Sequence, residues 1–290
     1  MQLSAKLTIL CSVVMSSLLM SPKSNASDQP DYIEIPQQEL VYMHTSKGML
    51  VMQITDIQSP NAANQFKNLV KEGFYNGLDI YRVVDGFVIQ GGEQEFDPQT
   101  SKQSKFRNNL KAEFTRQIPE NSQFMSVQSP ALLAPEEGLI GTFPAGRDKQ
   151  TKEEWLLHCP GTVAMARNNE PDTSSTEFYV TIGHAPRHLD RNMSVFGRVI
   201  DGMTAAQAMH RGPMSTNGVI DKDQPRTKIL SAVLGNDQTA NLKVNYKIEN
   251  PKGKKYQDRL ANARNNPGPF LVYPGNGNVD VCYQRPRIIK

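Results

Sequence analysis

Apolar and polar positions change period several times along this chain, and each change predicts an element. From Leu40 the pattern alternates through LVYMHT and GMLVMQITD on either side of Ser46-Lys47-Gly48, which predicts a β-hairpin. After Ser59-Pro60 the apolar positions Ala62, Ala63, Phe66, Leu69 and Val70 recur at helical spacing. Ser59 suits the N-cap, Pro60 suits the first helical position, and Gly73 stops the helix. Alternation and β-branched residues return in Tyr81–Gly92, Thr162–Ala166, Glu177–Ile182, Ser194–Val199 and Arg226–Leu234. Met203–His210 reads as a second helix, ended by Gly212-Pro213. Two α-helices and about eight short strands make a mainly β chain and fit a closed antiparallel β-barrel, which leaves no sheet edge exposed.

Between these elements the pattern weakens. Residues 27–39 are polar and proline-bearing, an extended N-terminal arm. Residues 93–158 are polar and rich in Pro and Gly, with Leu110–Phe114 as a short element. Thr115–His158 is longer than a compact barrel requires, so it is either a lid or rim or a solvated insertion, with the second favoured. Trp155, the single tryptophan, is expected on the barrel wall. The barrel domain spans 40–235 and a C-terminal extension spans 236–290. In the extension, Lys254–Ala263 suggests a helix, and Phe270–Tyr273 followed by Pro274-Gly275-Asn276-Gly277 reads as strand and tight turn. There are no internal repeats.

The start of the chain reads as a signal peptide, residues 1–26: Lys6, an apolar run from Leu7 to Met20, and small residues at Ser24-Asn25-Ala26. The run is too short to span a bilayer comfortably. Export with cleavage after about Ala26, into a periplasm, is therefore expected, with no stable membrane insertion afterwards. Leu10 before Cys11 is too bulky for lipoprotein processing. The leader holds Lys6 and Lys23 and no acid, so its loss lowers the formal charge from +3 to +1. A near-neutral protein gives no reason to invoke nucleic acid. The surplus is local: from Asn236 onward ten Lys/Arg face four Asp/Glu, a basic tail that is either solvated or docked on the acidic body. Cys159 and Cys282 remain after cleavage, and an even pair in an oxidising compartment makes them a disulfide candidate.

Tyr81–Gly92, YRVVDGFVIQGG, carries the most chemistry. It sets Arg82 at the mouth of an apolar run that ends in a double glycine, with Gln90 close behind. An edge strand with a solvated arginine is the plain reading; a surface groove that holds something oily and hydrogen-bonds it is the other. CPGTVAMARN (159–168), TEFYVTIG (176–183) and LDRNMSVFGRVIDGM (189–203) follow in order. Together these blocks resemble the cyclophilin family of peptidyl-prolyl cis-trans isomerases, over roughly Leu40 to Leu234. The family forms are F-H-R-x-x-x-G-F-x-x-Q-G-G, P-G-x-x-x-M-A, Q-F-F and V-F-G-x-V-x-x-G-M.

The resemblance implies a cyclophilin-like eight-stranded barrel capped by two helices, acting on proline-containing polypeptides without cofactor or metal, with a monomer expected. Rotation about an X-Pro bond meets an amide-resonance barrier of about 18–20 kcal/mol. A guanidinium that bonds the prolyl nitrogen only once resonance is lost favours the twisted state over the ground state. The resemblance gives that catalytic role to Arg82 and the apolar seat to Phe87, Val88, Tyr179 and Leu189. Gln90 is expected to orient Arg82 or meet the substrate carbonyl, and Ala166 and Arg167 to pair with the peptide backbone as an added strand. Glu177 and Tyr179, two apart on a strand, face the groove together, and Phe178 faces the core. His188 and Met193 complete the expected substrate-binding set. Several positions depart from the family pattern, among them Val88 where methionine is common, Arg167 for asparagine, Glu177 for glutamine, His188 for tryptophan or phenylalanine, and Met193 for histidine. Activity is expected to persist, with altered rate and preference and weak binding of cyclosporin-like macrocycles.

Competing signals are thin. His184 and His188 are four apart but flank Pro186, which breaks a shared helix face. His44, His158 and His210 are scattered and read as structural or solvated. No G-x-S-x-G accompanies them to suggest a hydrolase triad. A peptide-binding chaperone module that kept the groove without useful turnover is the alternative function. A barrel with a ligand inside is disfavoured, because small barrels fill their interiors with side chains.

Overall fold

The computed structural model describes residues 29–95, 97–184, 186–266, 268–273 and 275–290. The expected signal peptide 1–26, with Cys11, lies outside them, as does Pro274. In chain order the elements are β1 (Tyr32–Glu34), β2 (Leu40–Thr45), β3 (Gly48–Ile54), α1 (Pro60–Lys71), β4 (Asp79–Val84) and β5 (Val88–Gly92). Next come β6 (Arg116–Gln117), β7 (Phe124–Gln128), β8 (Glu136–Ile140), β9 (Phe143–Asp148) and β10 (Glu153–Leu156). The chain then forms β11 (Thr162–Met165), β12 (Phe178–Thr181), β13 (Val195–Asp201), α2 (Met203–Gln207) and β14 (Thr227–Leu234). It finishes with β15 (Lys247–Glu249), α3 (Lys254–Asn265) and β16 (Ile288–Ile289).

Eight strands close an antiparallel barrel in the order β11-β12-β5-β4-β14-β2-β3-β13, with β13 pairing back onto β11. This is the mainly β barrel that the alternation implied. The β2–β3 hairpin turns on Ser46 and Lys47, with Thr45 opposite Gly48. Helix α1 drives Phe66 into one end of the barrel, where its ring meets Tyr75, Phe178 and Phe196 at centroid distances of 5.2, 5.4 and 4.9 Å. The cap of α1 differs from expectation. Ser59 spends its hydroxyl on the Glu113 carbonyl, 2.9 Å away, and the Glu113 carboxylate accepts instead from the backbone amides of Asn61 and Ala62. A negative group there also suits the helix dipole. Helix α2 stops at Gln207, short of His210, because the Arg211 guanidinium takes the carbonyls of Gln207 and Met209.

The long insertion is not a solvated loop. It forms a five-stranded antiparallel sheet, β6-β10-β9-β8-β7, and its two faces alternate between partners. Ile140, Phe143, Ala145 and Leu156 pack on the outside of the barrel against Val88, Ala164, Tyr179 and Val195. Leu139, Trp155 and Leu157 point the other way, into a core shared with Tyr256 and Leu260 of α3 and with Val279 and Val281. Trp155 therefore packs on the C-terminal extension and not on the barrel wall. Its partners lie about a hundred residues downstream, beyond the reach of local pattern.

The extension is tied down covalently and by pairing. Cys159 and Cys282 are joined, with Cα atoms 5.1 Å apart across 123 residues of sequence. Tyr246 donates from its hydroxyl to Asp201 Oδ2 at 2.7 Å, and Arg285 donates to the Pro160 carbonyl. β15 pairs with β1 of the N-terminal arm on one side and β16 on the other. The strand expected over Phe270–Tyr273 does not form. Its residues are irregular, and Phe270, Val272 and Tyr273 lie exposed.

Candidate active site

Strands β4, β5, β12 and β11 set Arg82, Gln90, Tyr179 and Ala164 side by side in one register row. The β4–β5 register slips by one residue between Ile80 and Arg82, a β-bulge at Tyr81. Strict alternation would turn Tyr81 away from Arg82. The bulge breaks that alternation and brings both side chains to Gln90. At the other end of β5, Gly92 has φ +124°, and a Cβ there would come within 2.9 Å of the Glu177 Cα. The double glycine thus lets β5 pass directly beside Glu177.

The resulting polar cluster is closely bonded. Arg82 Nε donates to the Asn217 carbonyl at 2.8 Å and Nη1 to Gln90 Oε1 at 2.9 Å. The Gln90 amide nitrogen lies 2.7 Å from Glu177 Oε2 and 2.6 Å from the Tyr81 hydroxyl, which itself donates to Glu177 Oε2. Glu177 therefore turns Gln90 so that its oxygen faces Arg82. Burial is the main influence on the Glu177 carboxyl and raises it above its usual pKa, against the hydrogen bonds from Tyr81 and Gln90 and the charge of Arg82. Burial, then the neighbouring Glu177 charge, pushes the Tyr81 phenol up as well.

Beside this cluster opens a notch of about 180 Å³ lined by Arg82, Phe87, Val88, Gln90, Ala166, Arg167, Tyr179, Leu189 and Met193. Nine of the eleven residues singled out from the sequence for catalysis and substrate binding meet here. The other two stand apart. Glu177 lines an adjoining cavity of about 640 Å³ with Tyr81, Arg107, Asn109 and Thr173, behind Gln90. His188 is exposed at the rim, stacked on Phe87 with ring centroids 5.9 Å apart. Phe178 faces the barrel core, as its place between Glu177 and Tyr179 requires.

Each wall is held from behind. Gln58, at the entry to α1, donates to the carbonyls of Glu113, Phe114 and Met193 and accepts from the Leu156 amide. This pins Met193 to the insertion sheet. Arg167 bends away from a free role: it donates to the carbonyls of Asn192, Asn168 and Asn169 and lies over the Phe114 ring. Tyr179 is buried, and its hydroxyl lies 2.8 Å from Nε2 of a wholly buried His158. The sequence reading gives no role to Tyr81 or Asn217 and takes His158 as structural or solvated. The bulge hid the first, a backbone carbonyl has no sequence signature, and the third carries no motif.

The notch joins an apolar seat to a fixed guanidinium at its edge. What it can do is hold an apolar ring and hydrogen-bond the atoms beside it. The family model described as cyclophilin type peptidyl-prolyl cis-trans isomerase/CLD matches residues 40–233. A peptidyl-prolyl cis-trans isomerase of Acinetobacter baylyi is 27% identical over 208 residues, covering 69% of this chain and 88% of the relative. A probable peptidyl-prolyl cis-trans isomerase of Brucella abortus is 26% identical over 198 residues, 68% of this chain and 83% of its own. Among solved structures, cyclophilin AquaCyp293 from Hirschia baltica superposes with a TM-score of 0.70 at 21% identity, over 89% of this chain and 92% of its own. That last likeness speaks to the fold and reaches beyond the span of the family model. With the barrel, the ordered motifs and the family match in agreement, this chain belongs to the cyclophilin-type peptidyl-prolyl cis-trans isomerases.

Proposed function

We propose that this isomerase acts on X-Pro bonds of exported polypeptides during their folding, with Arg82 as the catalytic residue. The observation that carries the assignment is the double anchoring of Arg82, through Asn217 and Gln90, at the edge of an apolar notch. The proline ring sits against Phe87, Val88, Tyr179 and Leu189. As the amide twists, the prolyl nitrogen regains its lone pair, and a guanidinium N–H donates to it. The ground-state amide nitrogen accepts poorly, so the bond forms mainly in the transition state and lowers the barrier. An anchored donor also needs little reorganisation at that moment. Gln90 holds the guanidinium, Glu177 holds Gln90, and the Ala166–Arg167 backbone is the edge on which the peptide lies.

Export is supported by the leader-like start of the chain and by the Cys159–Cys282 pair, a bond that persists in oxidising compartments. The same reading places the protein in a bacterial periplasm as a monomer, without nucleic acid or cofactor. Mass spectrometry of the protein recovered from a periplasmic fraction should give a mature start at about Ser27. An intact Met1 in the cytoplasmic fraction would overturn the export reading.

The catalytic assignment is tested with Arg82→Ala in a proline-peptide assay and in proline-limited refolding. At least a tenfold loss of kcat/KM is expected, about 1.4 kcal/mol of transition-state binding. Unchanged turnover would show that the catalytic donor lies elsewhere. Retained peptide binding with negligible wild-type turnover would favour the peptide-holding alternative.

A further inference from the structure

Behind the notch runs a buried polar chain that the proposed mechanism leaves unused. The Tyr179 hydroxyl meets His158 Nε2 at 2.8 Å, and His158 Nδ1 meets Asp190 Oδ1 at 2.9 Å. The same Asp190 oxygen accepts from the His158 backbone amide, also at 2.9 Å. Arg187 Nε donates to the other Asp190 oxygen, and Arg187 Nη2 donates to Glu137 Oε1 at 2.8 Å. His158 is fully buried, and the Asp190 and Arg187 side chains are each 8% exposed. A carboxylate only accepts, so Asp190 keeps the ring proton on Nδ1 and leaves Nε2 to accept from the tyrosine.

This chain joins three separate parts of the molecule. Tyr179 on β12 is one wall of the notch. Asp190 follows Leu189, another part of its seat, in a short turn that begins at Arg187. Glu137 belongs to β8 of the insertion sheet. His158 bridges the two walls, and it precedes Cys159 of the disulfide. We infer that His158 is a positioning residue for the isomerase, setting the spacing between Tyr179 and Leu189 that receives the proline ring, with the insertion sheet as its footing through Glu137 and Arg187. The inference rests on the proposed location of the prolyl seat. A buried, bonded imidazole need not serve the notch at all, so the test must separate spacing from stability.

Tyr179→Phe is the decisive variant, because it keeps the ring and removes only the atom that meets His158. A lost hydrogen bond of ordinary worth predicts a rise in KM for a proline peptide of ~5-fold. The kcat value should stay within about twofold, since Arg82 is untouched. His158→Gln, whose amide reaches toward Tyr179 but not Asp190, should raise KM similarly. The double variant should be no worse than either single one, the mark of two residues acting through one bond. All are assayed well below their unfolding midpoints, with thermal melts recorded alongside. If Tyr179→Phe keeps wild-type KM and kcat while its melt shifts, or alters kcat alone, the inference fails. Should His158→Gln not fold, Tyr179→Phe decides by itself. A silent Arg82→Ala would instead remove the notch assignment, which makes the two failures distinguishable.

Discussion

Two carboxylates in this molecule show how the same group serves different ends. Glu154, on the insertion sheet, is fully buried and held by two cations: Arg116 Nη2 and Arg147 Nη2 each lie 2.6 Å from one of its oxygens, and Ser122 also donates to it. Glu177, beside the notch, is bonded by neutral groups: its Oε2 accepts from Tyr81 and Gln90. A carboxylate compensated by charge locks the sheet around it. One held by neutral donors keeps part of its desolvation cost, visible as its raised pKa. The insertion therefore uses its charge for architecture, and the groove keeps a carboxyl group two hydrogen bonds, through Gln90, from Arg82.

The contrast can be broken at its stiff end first. Glu154→Gln leaves two half-buried arginines facing a neutral amide inside the sheet and should cost about 3 kcal/mol. The expected result is a large fall in thermal midpoint with kcat/KM of the remaining folded protein little changed; a midpoint near wild type would mean the triad is not compensating a buried charge. Next, replacing both Cys159 and Cys282 by serine releases the extension and should cost roughly 2–4 kcal/mol. Chemical denaturation of this variant beside wild type gives the value, and equal midpoints would leave the bond without a role in stability.

The softer end sharpens the contrast. With its folded pKa raised, Glu177 contributes stability that is fully present below its unfolded pKa of about 4.3 and lost as pH rises through the folded value. Glu177→Gln removes that loss, so its midpoint should exceed wild type at pH 7 and converge with it near pH 3–4. A variant less stable than wild type at pH 7 would reverse the sign and refute the burial argument. Glutamine still accepts through its carbonyl oxygen, so activity should change less than for Arg82→Ala. The smallest effect is expected at the exposed Lys111–Asp172 pair, where Lys111→Ala should leave the melt unmoved.

The legible and illegible parts divide along the same line. Barrel strands and α1 announce themselves because each buries one face, and burial writes period two or 3.6 into the sequence. Arg82, Phe87, Val88, Gln90, Tyr179 and Leu189 stand on that frame, so their positions followed from their motifs. The insertion writes a poorer pattern. Its strands carry Glu137, Arg147 and Glu154 at inward positions, where buried ion pairs replace the apolar residues that alternation looks for. Trp155 and Tyr256 find each other only after the chain has returned from the far side of the barrel. The opposite case is Phe270–Tyr273, a β-rich apolar run that stays irregular with its side chains exposed, so it buries no face. His188 lacks the bulk expected at the notch and lies on its rim, while Glu177 turns into the neighbouring cavity. Both are positions where this chain departs from its family's usual residue.

The small sheet formed by β1, β15 and β16 sets Glu34, Lys247 and Ile289 next to one another in register. With neighbouring strands about 4.8 Å apart, Glu34 and Ile289 stand roughly 10 Å from each other. The N-terminal arm and the C-terminal extension are thus held in one ladder, with β15 between them. Among the described residues, peeling away either outer strand must first break its pairing with β15, so arm and extension steady each other through a strand they share.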